Sequence, residues 1–140
     1  MLEQIVLVIL EDASDRIALQ LRDDLPEVAY RDHWGLFGGH VEPGEMPALA
    51  ISRELQEELG VLIEARHLKQ LETFRIAQRE YYVFLFSLAN ELASTQLTEG
   101  QHFALFSRPA IEKSEINGKQ IVTHHLEVIK RYWRARGELT

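Results

Sequence analysis

The 140-residue chain has no cysteine, which excludes a disulfide framework and a metal site built from thiolates. It also has no apolar run near the ~20 residues that a helix needs to cross a bilayer. Its first four residues show neither the basic region nor the cleavage site of a signal peptide. These absences lead us to expect a cytoplasmic protein that has no membrane partner.

Basic side chains are scarce, with 15 lysines and arginines against 22 aspartates and glutamates and a formal net charge of −7. Because binding to a nucleic acid polymer depends on Lys and Arg, the composition argues against such a partner, although a small phosphorylated substrate carried by metal ions remains compatible. No repeat, low-complexity segment or linker divides the chain, so we predict one domain over residues 1–140. The oligomeric state stays open, with a homodimer as one alternative.

An acidic helix is predicted between Pro47, which suits a first helical turn, and Gly60, which suits a C-terminal cap. At 100° per residue, its apolar side chains form one stripe that should pack on a core: Ala48, Ile51, Leu55 and Leu59. Glu54, Glu57 and Glu58 fall in a separate sector. Ala50 lies within that carboxylate sector, and its small side chain should leave room for ions.

The three glutamates stand at positions i, i+3 and i+4, where like charges destabilise an isolated helix. Something must neutralise such a cluster, and hard divalent cations with oxygen ligands are the obvious candidates. The spacing therefore predicts a site for Mg²⁺, with Mn²⁺ as an alternative, formed by Glu54, Glu57 and Glu58.

Upstream, residues 34–40 read WGLFGGH, with three glycines around a short apolar run. Glycine permits positive φ and lets a backbone approach a ligand closely. We predict a tight glycine loop that enters the acidic helix, with backbone carbonyls completing the metal coordination. Taken alone, the same letters also fit a plain strand-to-helix turn.

Together, residues 39–61 resemble the Nudix hydrolase signature, in which Gly, five residues, Glu and seven residues precede Arg-Glu-apolar-x-Glu-Glu-x-Gly-apolar. The matching positions are Gly39, Glu45, Arg53, Glu54, Leu55, Glu57, Glu58, Gly60 and Val61. One flanking position, Phe37, is a proline in many relatives and lies outside the signature.

The resemblance implies the α/β class, with a Nudix-type α/β/α sandwich in which a mixed β-sheet lies between helices. It implies that the Gly38 carbonyl joins the metal ligands, that Gly39 contacts the substrate and that Glu54, Glu57 and Glu58 are catalytic. Arg53 would orient these glutamates as part of the catalytic set, and Glu45 would be a supporting structural partner.

The remaining pattern agrees with that fold. Apolar runs or alternation predict strands at residues 5–10, 16–22, 68–77, 80–89 and 103–106. A final helix after Gly118 has a core stripe of Val122, Leu126, Ile129 and Trp133. Near its start, His124 and His125 are predicted to be a packed or capping pair rather than metal ligands, because no third ligand has a recognisable spacing.

The long loop after the second predicted strand is a candidate binding segment, since such loops often carry ligand-contacting residues. Arg22, Tyr30 or Arg31 would contact the substrate, and the alternative is an ordinary solvated loop. Aromatic residues at positions 81, 82, 84 and 86 are predicted to lie in the core, with contact to a pocket as the alternative for one of them.

Glu99 lies in a second loop, where many relatives place a further acidic residue. We predict that Glu99 is a metal ligand or accepts the proton of the attacking water, the alternative being an exposed turn residue. Its competitors are Asp23, Asp24 and Glu91.

The predicted function is metal-dependent hydrolysis of a nucleoside diphosphate linked to another moiety. The substrate is left open among a nucleotide-sugar, a dinucleoside polyphosphate and a normal or oxidised nucleoside triphosphate. The alternative function is a non-catalytic nucleotide-binding regulator on the same fold.

Overall fold

The fold is built around a central strand that pairs with other strands along both of its edges. The computed structural model describes residues 2–92 and 102–137. The described strands of the main sheet are β1 (Glu3–Glu11), β2 (Ile17–Leu21), β3 (Trp34–Gly35), β4 (Phe37–His40), β5 (Lys69–Ile76), β6 (Arg79–Ser87) and β7 (His102–Phe106). The other elements are α1 (Pro47–Leu59), a 3₁₀ turn (Ala65–His67), α2 (Arg108–Glu112), a hairpin of β8 (Glu115–Ile116) and β9 (Lys119–Gln120), and α3 (Thr123–Ala135).

Strand β1 pairs in parallel with β6 along one edge and antiparallel with β4 and the start of β2 along the other. Strand β5 extends the sheet beyond β6, while β3 and β7 both pair with β2. The mixed sheet agrees with the sequence, because an apolar run at residues 5–10 indicates a strand that is covered on both faces.

Side chains of β1 alternate between two separate cores. Those at positions 5, 7 and 9 pack with residues of α2 and α3, and those at positions 6, 8 and 10 pack with residues of α1. Helices therefore cover both faces of the sheet, and the predicted α/β/α sandwich is confirmed. None of the described helices has the length and apolar character needed to cross a membrane.

The glycine segment differs from the prediction, because residues 37–40 form β4 rather than a loop. Gly38 is paired with Leu7, and a Cβ on Gly38 would lie 2.0 Å from the carbonyl oxygen of Val6. A Cβ on Gly39 would lie 2.4 Å from Cδ of Glu54. Neither glycine has a positive φ, so both are required for close approach rather than for a turn.

Helix α1 begins and ends as the sequence predicts. Pro47 is its first residue, and Gly60 follows its end with φ 68°, its N–H donating to the carbonyl of Gln56. The position of Ala50 was predicted wrongly: its side chain is fully buried in the core beneath α1. Ala50 therefore belongs to the apolar face of α1 rather than to the carboxylate sector.

Candidate active site

A polar cavity of about 220 Å³ lies where one face of α1 meets β4 and the end of β2. We call it the acidic cavity, and its lining residues are Gln20, Arg22, Asp23, Val28, Gly38, Glu54 and Glu58. It brings two of the three predicted metal-binding glutamates together with Gly38. Asp23, predicted only as a competitor of Glu99, also belongs to it.

Glu58 is the most deeply placed carboxylate of this cavity, with 3% of the residue exposed. Gln20 Nε2 donates to Glu58 Oε2 over 3.1 Å. A buried carboxylate is costly unless it is hydrogen-bonded and its charge is offset. The charge of Arg22 acts on Glu58 from the same cavity, so the pocket provides both forms of compensation.

Glu54 lies on the next turn of α1 toward its N-terminus. Burial raises the pKa of Glu54, although the hydrogen bond and charge of Arg53 oppose that shift. A hydrogen-bonding interaction with the carboxyl of Glu58 also opposes the rise in the pKa of Glu54. Two carboxyl groups in such a contact need a proton or a cation between them, because two adjacent carboxylates repel.

Glu57 is placed differently from the other two glutamates. Its side chain is half exposed, and its Oε1 lies 3.3 Å from Arg53 Nη1, outside the residues that line the acidic cavity. Across residues 2–92 and 102–137, no group of three carboxylates or imidazoles is arranged to hold a metal ion. Glu57 thus lies beside Arg53, and its role as a metal ligand stays a prediction.

Arg53 joins α1 to the segment that follows β4. Its Nε and Nη2 donate to the two oxygens of Glu45, each over 2.9 Å, and Nη2 also donates to the carbonyl of His40 over 3.0 Å. Nη1 donates to Glu54 Oε1 over 2.9 Å. The guanidinium group lowers the pKa of Glu45 and holds Glu54 in a fixed place.

The donor set of the acidic cavity fits a hard divalent cation. Carboxylate and carbonyl oxygens are the ligands that Mg²⁺ takes, and Mg²⁺ needs only a few of them because it retains several waters. Glu54, Glu58 and the Gly38 carbonyl are the groups that would hold it, with Asp23 nearby. The missing side chain of Gly39 leaves the Glu54 carboxyl its space.

A second cavity, of about 120 Å³, adjoins the first on the α3 side of the sheet. We call it the ring-lined cavity. Five ring-bearing side chains line it, and the apolar lining includes Ile5, Leu7 and Leu36; the rings are those of Tyr30, His40, Tyr81, His124 and His125. Arg22 and Gly38 line both cavities, so the two cavities meet at these residues.

The residues predicted in the long loop separate into two groups. Arg22 and Tyr30 line the ring-lined cavity, and Arg22 Nε donates to the carbonyl of Ala29 over 2.7 Å. Arg31 is exposed, lies 3.8 Å from Asp24 and lines neither cavity. Glu99 lies outside the described residues.

Several site residues could not be identified from spacing alone. Gln20 sits inside an alternating strand, and Arg79 belongs to β6, which is distant in sequence from the signature. Tyr81, one of the four aromatic residues for which contact to a pocket was the alternative, lines the ring-lined cavity. His125 is packed as predicted, with its Nδ1 accepting the N–H of Leu36 over 3.0 Å. Only His124 of that pair has a ring that both contacts Tyr30 and Tyr81 and faces the cavity.

Comparison with known families gives one result that spans most of the chain. The family model for the NUDIX domain matches residues 1–129. None of the curated proteins matches the chain.

Solved structures of low sequence identity share the fold. The structure described for MutT from Aliivibrio salmonicida and Vibrio cholerae is 20% identical with a TM-score of 0.76, covering 96% of this chain and 99% of that one. The NUDIX domain of Shewanella oneidensis NrtR, complexed with ADP ribose, is 19% identical with a TM-score of 0.74, covering 100% and 90%.

A bifunctional NMN adenylyltransferase/ADP ribose pyrophosphatase of Francisella tularensis, complexed with AMP and a Mn ion, is 18% identical with a TM-score of 0.73. That match covers 96% of this chain and 42% of the Francisella chain. At these identities the structural likeness concerns the fold.

Proposed function

Because the chain belongs to the Nudix family, we propose that it is a metal-dependent pyrophosphohydrolase that cleaves a nucleoside diphosphate linked to another moiety. The observation that carries this proposal is the acidic cavity, in which Glu54 and Glu58 meet Gly38 beside a cavity lined by rings. One cavity suits the reacting diphosphate and the other suits the group attached to it.

Arg22 is the residue that would bind the diphosphate between the two cavities. Burial lowers the pKa of Arg22, but the charges of Glu58 and Asp23 oppose the shift, and a guanidinium group remains cationic in proteins. Its donors can bind two phosphate oxygens at once. Arg22 would therefore fix the diphosphate at the border that the two cavities share.

Hydrolysis of a diphosphate needs charge compensation and a proton acceptor. Glu54, Glu58 and the Gly38 carbonyl would hold Mg²⁺ or Mn²⁺, which offsets negative charge on the phosphate oxygens and activates water. The carboxylate of Glu54, or that of Glu99, would accept the proton of the attacking water. Arg53 keeps Glu54 Oε1 in place, and Glu45 in turn holds Arg53 on two sides.

The neighbours support the nucleotide part of the proposal. One of them is complexed with ADP ribose and another with AMP and a Mn ion. A nucleotide-sugar, a dinucleoside polyphosphate and a normal or oxidised nucleoside triphosphate all contain the linkage that the proposed reaction cleaves. We propose that the substrate belongs to one of these three classes.

The test is incubation of the protein with a panel of these compounds and Mg²⁺, with the products followed by phosphorus NMR. We expect cleavage of at least one compound at a phosphoric anhydride bond, full loss of turnover with excess chelator, and recovery on adding Mg²⁺ or Mn²⁺. Turnover that persists in the chelator would contradict metal dependence. Binding without cleavage of any compound would favour the regulator alternative.

A further inference from the structure

The ring-lined cavity has a composition that selects among chemical groups, and the argument here rests on the proposed function. Its volume of about 120 Å³ is well below the roughly 300–1,000 Å³ of a pocket for a whole small-molecule ligand. It therefore suits one part of a substrate, and Arg22 and Gly38 connect that part to the acidic cavity.

His124 is held at the wall of this cavity by two tyrosine rings. Its ring centroid lies 5.3 Å from that of Tyr30 and 5.2 Å from that of Tyr81, both in edge-on orientation at 61°. Tyr81 is itself stacked on Phe74, at 4.9 Å and 6°. Aromatic contacts of this geometry are favourable, so the position of the imidazole is defined on two sides.

The imidazole nitrogens of His124 have no hydrogen-bond partner among the residues that the structure describes. Burial lowers the pKa of His124, and the nearby charges of Arg79 and Arg22 lower it further. A neutral imidazole has one N–H donor and one acceptor nitrogen. His124 thus presents a donor and an acceptor beside an apolar lining.

The two arginines and His40 of this cavity already have other partners. Arg79 Nε lies 2.9 Å from Glu3 Oε2, and His40 lies 3.6 Å from the same carboxylate. Arg22 faces the acidic cavity as well. The cavity is therefore suited to an uncharged planar group with both donors and acceptors on its edge, rather than to a second phosphate.

We infer that His124 is a specificity-determining residue, whose imidazole hydrogen-bonds to the nucleobase of the substrate while the base lies against the rings of the cavity. The nucleoside end of the diphosphate occupies the ring-lined cavity, and the bond to be cleaved lies at the acidic cavity. The substrate is accordingly recognised by its base and not only by its diphosphate.

The first experiment compares the best nucleoside substrate of the panel with a counterpart that has ribose but no base. We expect His124→Ala to lower the ratio of the two kcat/KM values by about tenfold, the size of one hydrogen bond. His124→Asn, which retains one donor and one acceptor group, should recover most of the ratio. His67→Ala, at an exposed histidine of the 3₁₀ turn, is the matched control and should leave the ratio unchanged.

Equal losses on both compounds, or no loss on either, would overturn the assignment of His124. A binding measurement keeps this inference separate from the proposed function. Without metal, calorimetry of AMP, GMP, CMP and UMP against ribose 5-phosphate should show a preference for at least one nucleotide that His124→Ala removes. An enzyme with no turnover but with this His124-dependent preference would refute the proposed hydrolysis alone, whereas hydrolysis without the preference would refute the base contact.

Discussion

The acidic cavity and the ring-lined cavity share Arg22 and Gly38 but are constructed in opposite ways. Both carboxylates of the acidic cavity that would hold metal come from one turn of α1, and Gly38 precedes that helix by a few residues in sequence. The ring-lined cavity draws its rings from a loop, from β4, from β6 and from α3. The proposed metal ligands are thus local in sequence, while the rings of the other cavity are distributed over the fold.

The two cavities also differ in charge. Glu54 and Glu58 make the first cavity a place for cations, whereas His124 is neutral and Arg79 is paired with Glu3 in the second. Arg22 stands at the border with a positive charge. A diphosphate bridging the cavities would have metal ions on one side and the guanidinium group on the other, which offsets its charge from two directions.

The largest expected effect comes from a substitution that changes one side-chain atom in the acidic cavity and leaves the ring-lined cavity intact. Glu58→Gln retains the size of the side chain and removes a buried negative charge that would bind metal. We expect kcat to fall by about 10²–10⁴-fold, as large an effect as the loss of a general acid or base. AMP binding in the ring-lined cavity without metal should change by less than about threefold.

Steady-state kinetics and calorimetry measure these two effects, and thermal unfolding without metal measures stability. Glu64→Gln is the matched control, because Glu64 is exposed and its Oε2 lies 2.9 Å from Nε of the nearby Arg66. If Glu58→Gln remained active, or lost nucleotide binding together with kcat, the two cavities would not have separate roles.

Much of the fold could be predicted because β1, α1 and α3 have strong periodic patterns. Alternating or continuous hydrophobic residues in the sequence mark the faces of strands and helices that are buried in the structure. The glycine strand was not predicted, because its glycines are required by contacts with residues that are distant in sequence. Only the proximity of Val6 and Glu54 explains why Gly38 and Gly39 carry no side chain.

The site shows the same division. Arg53 and Glu45 are eight residues apart and could be paired through a family resemblance, and the structure joins them by two hydrogen bonds. Helical angles could not show that Glu57 turns to Arg53 while Glu54 and Glu58 face the cavity. That outcome depends on side-chain rotamers and on β4, which a single helix pattern does not contain.

A pair of glycine substitutions should distinguish damage to the site from damage to the sheet. Gly39→Ala places a Cβ 2.4 Å from Cδ of Glu54, and the carboxyl can avoid it only by leaving the position that Arg53 sets. We therefore expect kcat to fall by about 10²-fold through misplacement of one reacting group. Gly38→Ala places a Cβ 2.0 Å from the backbone oxygen of Val6, which cannot move without disturbing β1.

For Gly38→Ala we therefore expect a loss of more than about 3 kcal/mol in the free energy of unfolding, as for severe overpacking, and for Gly39→Ala a loss of less than about 1.5 kcal/mol. Urea unfolding and kinetics are measured on both variants. Equal destabilisation by the two substitutions would show that Gly39 serves the sheet rather than the Glu54 carboxyl.

The smallest expected effect concerns the pH dependence of folding stability that arises from His125, which lines the ring-lined cavity. Burial lowers the pKa of His125 well below 6.5, and its Nδ1 must remain unprotonated to accept the N–H of Leu36. Below pH 6.5 the unfolded chain binds a proton that the folded chain does not, so folding stability falls as the pH decreases. The slope from this one residue approaches about 1.4 kcal/mol per pH unit.

His125→Asn retains an acceptor oxygen and does not titrate, so urea unfolding at pH 7.5 and pH 5.0 should show a smaller decrease in stability for the variant than for the natural chain. Parallel decreases in the two proteins would mean that His125 takes up its proton equally well when folded, and that the wall of the ring-lined cavity adds nothing to the acid sensitivity of the protein.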